Sequence, residues 1–536
     1  MANQPDRPVF RVLVADAISP LGVEALEQSP GFEVTVRTGM SPEEFREALK
    51  GQDGLIVRSA TRPDATAIEA ADRLKVIGRA GSGVDNIDLE AATRAGIVVM
   101  NTPGGNSVAA AELTVAHLLA MARNVVPSNA DLRAGKWERK KYMGQEVAGK
   151  TLGLVGLGRI GREVARIAKG LRMEVIGYDP YVSAEHGETL GIEVLSLEDV
   201  LARADVVSLH VPKNKDTHHL INAKSIATMK KGALLINCAR GGLIDESALL
   251  DALDSGHIGG AAVDVYETEP PTDFRLVEHP RVVATPHLGA STREAQVRVG
   301  VEIAEKVRDY LVEGVILDAV NLPSMDRETS KKTAPAMELA ERSARFLAQV
   351  ADGGIQRIEL QTFGELAELT LKPLVMSAVR GLLTPILTTP VSLVNALPLA
   401  AERGITIEES RSSEPTTRAG LLRLTLHTDR GSIALAGTLT SPDAAPRLVE
   451  IDGVPIEANP EGHLLYVRNQ DRPGVFGQIA MILGRNDVNI GGIQLGRGGD
   501  RRGAVAILQV DSPIPTAALE EIQAVEEIRT AMPVTV

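Results

Sequence analysis

From residue 10 to residue 323 the chain repeats one pattern: a short apolar run, a polar break, then apolar positions at helical spacing. Residues 10–15, 32–37, 55–58, 74–77 and 97–100 each suit one buried strand. Residues 20–27 and 41–49 carry helical periodicity between them. Ser41 stands as N-cap of the second helix with Glu44 three positions on, the pattern of a capping box. Strand alternating with helix predicts a parallel sheet with helices on its faces. A second set of strands is expected at 152–155, 173–178, 204–210, 233–238, 261–265 and 282–285. An alanine-rich helix over 108–123 joins the two sets, with Ser107 placed to cap it, and a helix over 301–312 returns the chain to the first.

Beyond residue 323 the pattern changes. Residues 337–350 and 373–383 have helical spacing, while 355–361, 421–427 and 433–439 alternate like strands. Asp429, Arg430, Gly431 and Ser432 mark a hairpin turn between the last two. From residue 464 to the end the order is strand, helix, strand, strand, helix, strand, a βαββαβ unit. These changes divide the chain into residues 1–104 with 292–323, then 105–291, 324–459 and 460–536.

One stretch carries chemistry on its face. Residues 152–155 form an apolar strand that runs into Gly156, Gly158 and Gly161 at the spacing G-x-G-x-x-G. Gly156 permits a tight turn, Gly158 lets backbone approach a pyrophosphate, and Gly161 lets the next helix, expected over 162–171, pack on the strand. Asp179 follows 18 residues after Gly161, at the end of the next strand. An acid there binds ribose hydroxyls and repels a 2′-phosphate, which favours NAD over NADP.

Composition removes other classes. A length of 536 residues implies about three or four domains. The net charge of −13 offers no bulk basic surface for nucleic acid. Cys238 is the one cysteine, so no disulfide framework exists within the chain and a reducing compartment is indicated. No uncharged apolar run reaches ~18 residues and the N-terminus lacks a signal pattern, so a cytoplasmic protein without a membrane span is expected. No metal site is expected.

Polar residues gather at the carboxyl ends of the expected strands, where open α/β sheets bind ligands. The first block presents Arg58-Ser59-Ala60-Thr61 and the run from Arg79 to Asn86, and arginines there suit an anionic substrate. The run WERKKYMG, with Lys140 and Lys141, is either a solvated loop or a phosphate contact to a neighbouring chain. In the second block three successive strand ends present Arg240, Glu269 and His287: a cation, an acid and an imidazole. An imidazole titrates in the range that a general base needs near neutral pH.

The segments GLGRIG, CARGGLIDE, DVYETEP and TPHLGAST resemble the D-isomer 2-hydroxyacid dehydrogenase family. RSAT, GRAGSGVDNID, NTPGGNS and WERKKYMG are similar to its branch that acts on 3-phosphoglycerate, and the resemblance runs over roughly residues 8–322. It implies a Rossmann-type nucleotide-binding domain inserted in a flavodoxin-like α/β substrate domain, with NAD as cofactor. It implies that Arg240, Glu269 and His287 are catalytic and that Asp264 holds the nicotinamide carboxamide. Arg159, Ile160, His210, Pro212, Cys238, Ala239 and Gly289 join the glycines and Asp179 around the cofactor. Arg58, Ser59, Arg79 and Asn106, with Lys141 from a neighbour, fall on the substrate side. Cys238 also reads as a small core residue.

DRPGVFGQIAMILGRNDVNI resembles the ACT domains, which bind amino acids between paired subunits. That implies Asn469, Asp471 and Asn489 as effector contacts, with L-serine as effector if the chain catalyses the first step toward serine. The segment before it is similar in position to an α+β intervening domain, either an anion-binding module or a spacer. The family pattern implies a homo-oligomer, a dimer through the nucleotide-binding domain and then a tetramer. Two alternatives stay open: the same chemistry on another D-2-hydroxy acid, and a non-catalytic NAD sensor, which would have no need of Arg240, Glu269 and His287 together.

Overall fold

The computed structural model describes residues 9–323, 325, 327–412, 418, 420–439, 445–498 and 503–536. The first block forms a parallel sheet of β1 (Phe10–Val14), β2 (Phe32–Val36), β3 (Gly54–Val57), β4 (Val76–Arg79) and β5 (Val98–Met100), in the order β2-β1-β3-β4-β5. Alternate side chains point to opposite faces. Val12, Val14, Ile56, Val76 and Val98 therefore pack under the helix Arg293–Glu313. Leu13, Leu55, Val57, Ile77 and Val99 pack on the other side. The helix starts eight residues before the expected 301 because its first turns are mostly polar. Thr292 caps it, and Arg298 Nε donates to the Gly105 carbonyl at 2.8 Å, tying it to the crossover between the two sheets.

The second sheet holds β6 (Thr151–Val155), β7 (Glu174–Tyr178), β8 (Glu193–Val194), β9 (Val206–Leu209), β10 (Ala233–Asn237), β11 (Ile258–Val263) and β12 (Val282–Ala284). Its order is β12-β11-β10-β9-β6-β7-β8, with every pair parallel. The strand order reverses between β6 and β9, and a crevice opens at the carboxyl ends there. The crossing helix Ser107–Ala122 lays Ala111, Val115 and Leu118 on this sheet. Ser107 does not cap it. Asn106 occupies the N-cap position, its side chain makes no cap bond, and the Ser107 hydroxyl is buried without a partner.

The third unit is a six-stranded mixed sheet of β13 (Ile355–Gly364), β14 (Thr406–Ser412), β15 (Gly420–Thr428), β16 (Gly431–Leu439), β17 (Pro446–Ile451) and β18 (Val454–Ala458). Its order is β14-β13-β15-β16-β17-β18, so three strands join the three expected. The helices Arg327–Val350 and Leu371–Leu383 cover one face. The last unit pairs β19 (His463–Asn469), β20 (Ile490–Arg497), β21 (Ala504–Val510) and β22 (Ile528–Thr535) in the order β20-β21-β19-β22, all antiparallel. Leu464, Tyr466, Val505, Ile507 and Val534 turn into the core of the third unit. Tyr466 meets Phe346 edge-on at 5.7 Å. The two C-terminal units thus share one core. No helix among the described residues is long and apolar enough to cross a membrane.

Candidate active site

The loop after β6 is shaped by its three glycines. Gly156 has φ 103°, in the left-handed region that a side chain resists. A Cβ on Gly161 would lie 2.2 Å from the Gly156 carbonyl oxygen, so helix and loop approach too closely for any other residue. A Cβ on Gly158 would meet nothing within 4 Å, which leaves open space in front of the helix N-terminus. The helix begins at Arg159, earlier than the expected 162, so Arg159 and Ile160 form its first turn. Unpaired N–H groups there suit a pyrophosphate. Asp179 closes the loop from the side: its carboxylate accepts from Leu157 N and Tyr181 N, each at 2.9 Å. The opposite wall is the end of β9. His210 packs behind Gly156, its Nε2 lies 3.0 Å from Ser208 Oγ, and burial pushes its pKa down to about 4. Pro212 follows at the surface.

The acid and the imidazole meet. His287 Nδ1 lies 2.7 Å from Glu269 Oε2, across two neighbouring strand ends. A carboxylate only accepts, so Nδ1 carries the hydrogen and Nε2 is left as the basic nitrogen. The bond to Glu269 raises the imidazole pKa above its ordinary value, against burial and the Arg240 charge. Burial works to raise the Glu269 pKa, and the bonds from His287 and Tyr266 N more than offset it, leaving it lowered. Glu269 is held in place because Tyr266 N donates to its Oε1 at 3.1 Å. His287 has φ 56°, an uncommon conformation for a residue with a side chain. Asp264 braces that turn. It is fully buried, and it accepts from Leu288 N at 2.7 Å, Gly289 N at 2.8 Å and the Thr285 hydroxyl at 2.6 Å. Any bond to a nicotinamide carboxamide would be added to these three.

The arginines converge from both sheets. Arg240 follows β10, in a turn braced by Asn237, whose Nδ2 donates to the Arg240 carbonyl at 2.9 Å. Its Nε donates to Asp85 on the loop after β4 at 3.0 Å, so the guanidinium spans the cleft between the two sheets. A Cβ on Gly83 would fall 2.1 Å from Arg240 Nη2, so that glycine makes room for it. Arg79, at the end of β4, is pushed down to about 10 by burial and by the charges of Arg240 and Arg58. Its Nε is buried with no partner. Arg58 follows β3, at the strand-order reversal of the first sheet. Asp16 fixes that loop by accepting from Arg58 N at 2.6 Å and from the Thr61 hydroxyl at 2.7 Å, and Asn86 donates to the carbonyls of Arg58 and Thr61. Ser59 is exposed beside Arg58. Asn106 accepts from the Ser82 hydroxyl at 2.5 Å on the same side.

Some expected residues stand elsewhere. The Cys238 thiol lies 3.4 Å from His117 Nδ1, and burial raises its pKa to about 12, so the thiol stays neutral. Its neighbour Ala239 donates its N–H to Asn237 Oδ1. Lys141 is paired within its own chain to Asp131 at 2.8 Å. Asn469 is buried, with Nδ2 on the Gln470 carbonyl at 2.7 Å. It shares a strand face with Leu465 and Val467, which point into the core beneath the helices, and its Oδ1 is buried without a partner. Asp471 pairs with Arg497 at 3.3 Å, and Asn489 donates to Asp511 at 2.7 Å. Sequence reasoning missed Asp16, Asp85, Asn86 and Ser82. The loop of the last three was in view and that of Asp16 was not, a lone polar residue has no spacing signal, and the partner of Asp85 lies 155 positions away.

Comparison with known proteins agrees with this arrangement. Residues 115–289 match the NAD-binding domain of the D-isomer specific 2-hydroxyacid dehydrogenases. Among solved structures, a glyoxylate reductase from Paecilomyes thermophila superposes with TM-score 0.54 at 32% identity, covering 59% of this chain and 99% of that one. A D-lactate dehydrogenase from Treponema pallidum gives 0.52 at 32% identity, covering 58% and 99%. The chain belongs to the D-isomer specific 2-hydroxyacid dehydrogenase family and is an NAD-dependent oxidoreductase. Residues 332–452 match the D-3-phosphoglycerate dehydrogenase intervening domain and residues 463–527 the ACT domain. It has, accordingly, the long form of the D-3-phosphoglycerate dehydrogenases. The enzyme of that name from Synechocystis sp. is 42% identical over 97% of this chain and 94% of its own length. The one from Archaeoglobus fulgidus is 41% identical over 97% and 98%.

Proposed function

We propose that the chain oxidises 3-phospho-D-glycerate to 3-phosphohydroxypyruvate with NAD, the first step of the phosphorylated route to L-serine. The observation that carries this reading is the convergence of Arg58, Arg79 and Arg240 beside the His287–Glu269 pair, with Arg79 Nε buried and unpartnered. A substrate with one carboxylate needs one bidentate arginine; a carboxylate and a phosphate need more. The glycine loop fits NAD, since Gly158 leaves room for backbone to approach a pyrophosphate and Asp179 stands at the ribose position. Bound NAD supplies the hydride acceptor. His287 Nε2 takes the C2 hydroxyl proton as the C2 hydride departs, and Glu269 stabilises the imidazolium. Arg240 holds the carboxylate and polarises the C2 oxygen. Arg58 and Arg79 meet the phosphate, while Ser59 and Asn106 line the same loops. On this reading residues 1–104 with 292–323 bind substrate and 105–291 bind NAD.

Exposed apolar side chains at Val125, Val126, Leu132, Trp137 and Met143 support a dimer through the nucleotide-binding domain, and Lys141 lies on that same arm. Asp471 and Asn489, at the open end of the ACT unit, would receive an amino acid such as L-serine by exchanging their present partners for it. Initial rates of NADH formation over a panel of 3-phosphoglycerate, D-lactate and D-2-hydroxyisocaproate test the assignment. A clear preference for 3-phosphoglycerate supports it. A preference for an unphosphorylated acid would make the chain a dehydrogenase of another substrate, and no turnover of any acid would favour an NAD sensor.

A further inference from the structure

His117, 3% exposed on the crossing helix, takes no part in the chemistry above. Its ring nitrogens nevertheless both have polar partners. Nε2 lies 3.2 Å from the Thr285 hydroxyl, and Nδ1 lies 3.4 Å from the Cys238 thiol. The direction of these bonds follows from their far end. Asp264 can only accept, so the Thr285 hydroxyl gives it its single proton, at 2.6 Å. That hydroxyl can then only accept from His117, so Nε2 carries the ring hydrogen. Nδ1 is left with a lone pair and accepts from the thiol. Burial agrees, because it lowers the imidazole pKa and raises that of the thiol, keeping both neutral. The donors run one way: Cys238 to His117, His117 to Thr285, Thr285 to Asp264.

The run ends on the turn that presents the base. The Asp264 carboxylate accepts from Leu288 N and Gly289 N, and its backbone carbonyl accepts from His287 N at 2.9 Å. His287 sits between them at φ 56°. A residue with a side chain stays in that conformation only where its surroundings fix it. We propose that His117 is a positioning residue for the reaction: through Thr285 and Asp264 it holds the left-handed turn that aims His287 at the substrate hydroxyl. The inference rests on the reading of His287 as the base.

The test uses the full-length enzyme and the single-turnover rate of NADH formation, which product release does not mask. His117→Phe keeps the ring volume in the helix contact and removes the N–H. It is expected to lower that rate by roughly tenfold or more, since small misplacements of reacting groups are costly. His117→Gln sets an amide N–H at the place of ring Nε2 and should restore most of the rate. A full rate in His117→Phe, or equal losses in His117→Phe and His117→Gln, would overturn the proposal. If His117→Phe yields no folded protein, the chain is tested from Thr285: Thr285→Val should lose rate and Thr285→Ser keep it, and equal rates in the two would refute the idea. His287→Ala is measured alongside. Its retention of activity would refute the base assignment, whereas its loss together with a full rate in His117→Phe would sink the positioning role alone.

Discussion

The two halves of the chain use charge in opposite ways. In the cleft of the N-terminal half three arginines are gathered, and of these Arg240 is ion-paired, to Asp85. Arg58, Arg79 and Arg240 stand close enough to lower Arg79's hold on its proton, and one buried Arg79 nitrogen has no partner. In the C-terminal half, the charged groups neutralise one another in place. Arg357 pairs with Glu359 and Glu408, His427 meets Glu359, Asp471 meets Arg497, and Arg380 meets Glu341. Two of the three carboxylates that line the cleft on the uncovered face of the third sheet, Glu359 and Glu408, belong to this paired set. Gathering like charges is unfavourable unless something bound offsets it, which fits the anionic substrate proposed above. In the C-terminal half, a ligand that binds at a paired group such as Asp471 must displace its partner.

Substitutions in the cleft of the N-terminal half should cost most. His287→Ala is expected to lower kcat by ~10²-fold or more, and steady-state rates in the oxidation direction check it. Retention of most of the rate would remove His287 from the chemistry and with it the contrast. Next comes Asp179→Ala, which loses both the ribose acceptor and the bonds that hold Leu157 N and Tyr181 N. One charge-assisted hydrogen bond is worth ~1.5–3 kcal/mol, so KM for NAD should rise by about tenfold or more while that for NADP does not.

A smaller effect is a displacement along the pH axis. The Glu269 bond raises the His287 pKa, and His287 must be neutral to accept the proton. The rate of oxidation then falls as pH drops through that raised value. Glu269→Gln removes the charge, so the fall should move to lower pH; a pH–kcat/KM profile that does not move would detach Glu269 from the base. The smallest changes are expected in the paired half. If L-serine binds by displacing the partners of Asp471 and Asn489, then Asp471→Ala and Asn489→Ala should weaken its binding in calorimetry and leave kcat without serine unchanged. Binding unaltered by both substitutions would exclude these residues as the contact.

The N-terminal half was the more legible in sequence for a physical reason. Parallel strands buried on both faces read as apolar runs, and each ends in a glycine-rich or polar turn that carries the chemistry, as at Gly156, Arg240 and His287. The third unit has fewer such marks. β14 reads TIEESRS and lies at an exposed edge, while β17 begins at Pro446 and β18 contains Pro455, so all three escaped the apolar pattern. At the site, residues named by a motif were legible and residues named by a contact were not. Asp16 and Asp85 act through partners more than forty positions away, and no local spacing announces that. The direction of the Asn469 side chain followed from strand register, which the sequence pattern left open.

The gathered arginines should select a phosphate. D-Glycerate and 3-phospho-D-glycerate differ in that group alone, so the ratio of their kcat/KM values isolates it. The measurement is that ratio in the parent enzyme and in Arg58→Gln. The parent is expected to favour the phosphorylated acid strongly. Arg58→Gln should lower kcat/KM for that acid by roughly 10- to 100-fold, with D-glycerate little affected. Equal losses on both substrates, or a parent enzyme indifferent to the phosphate, would contradict it.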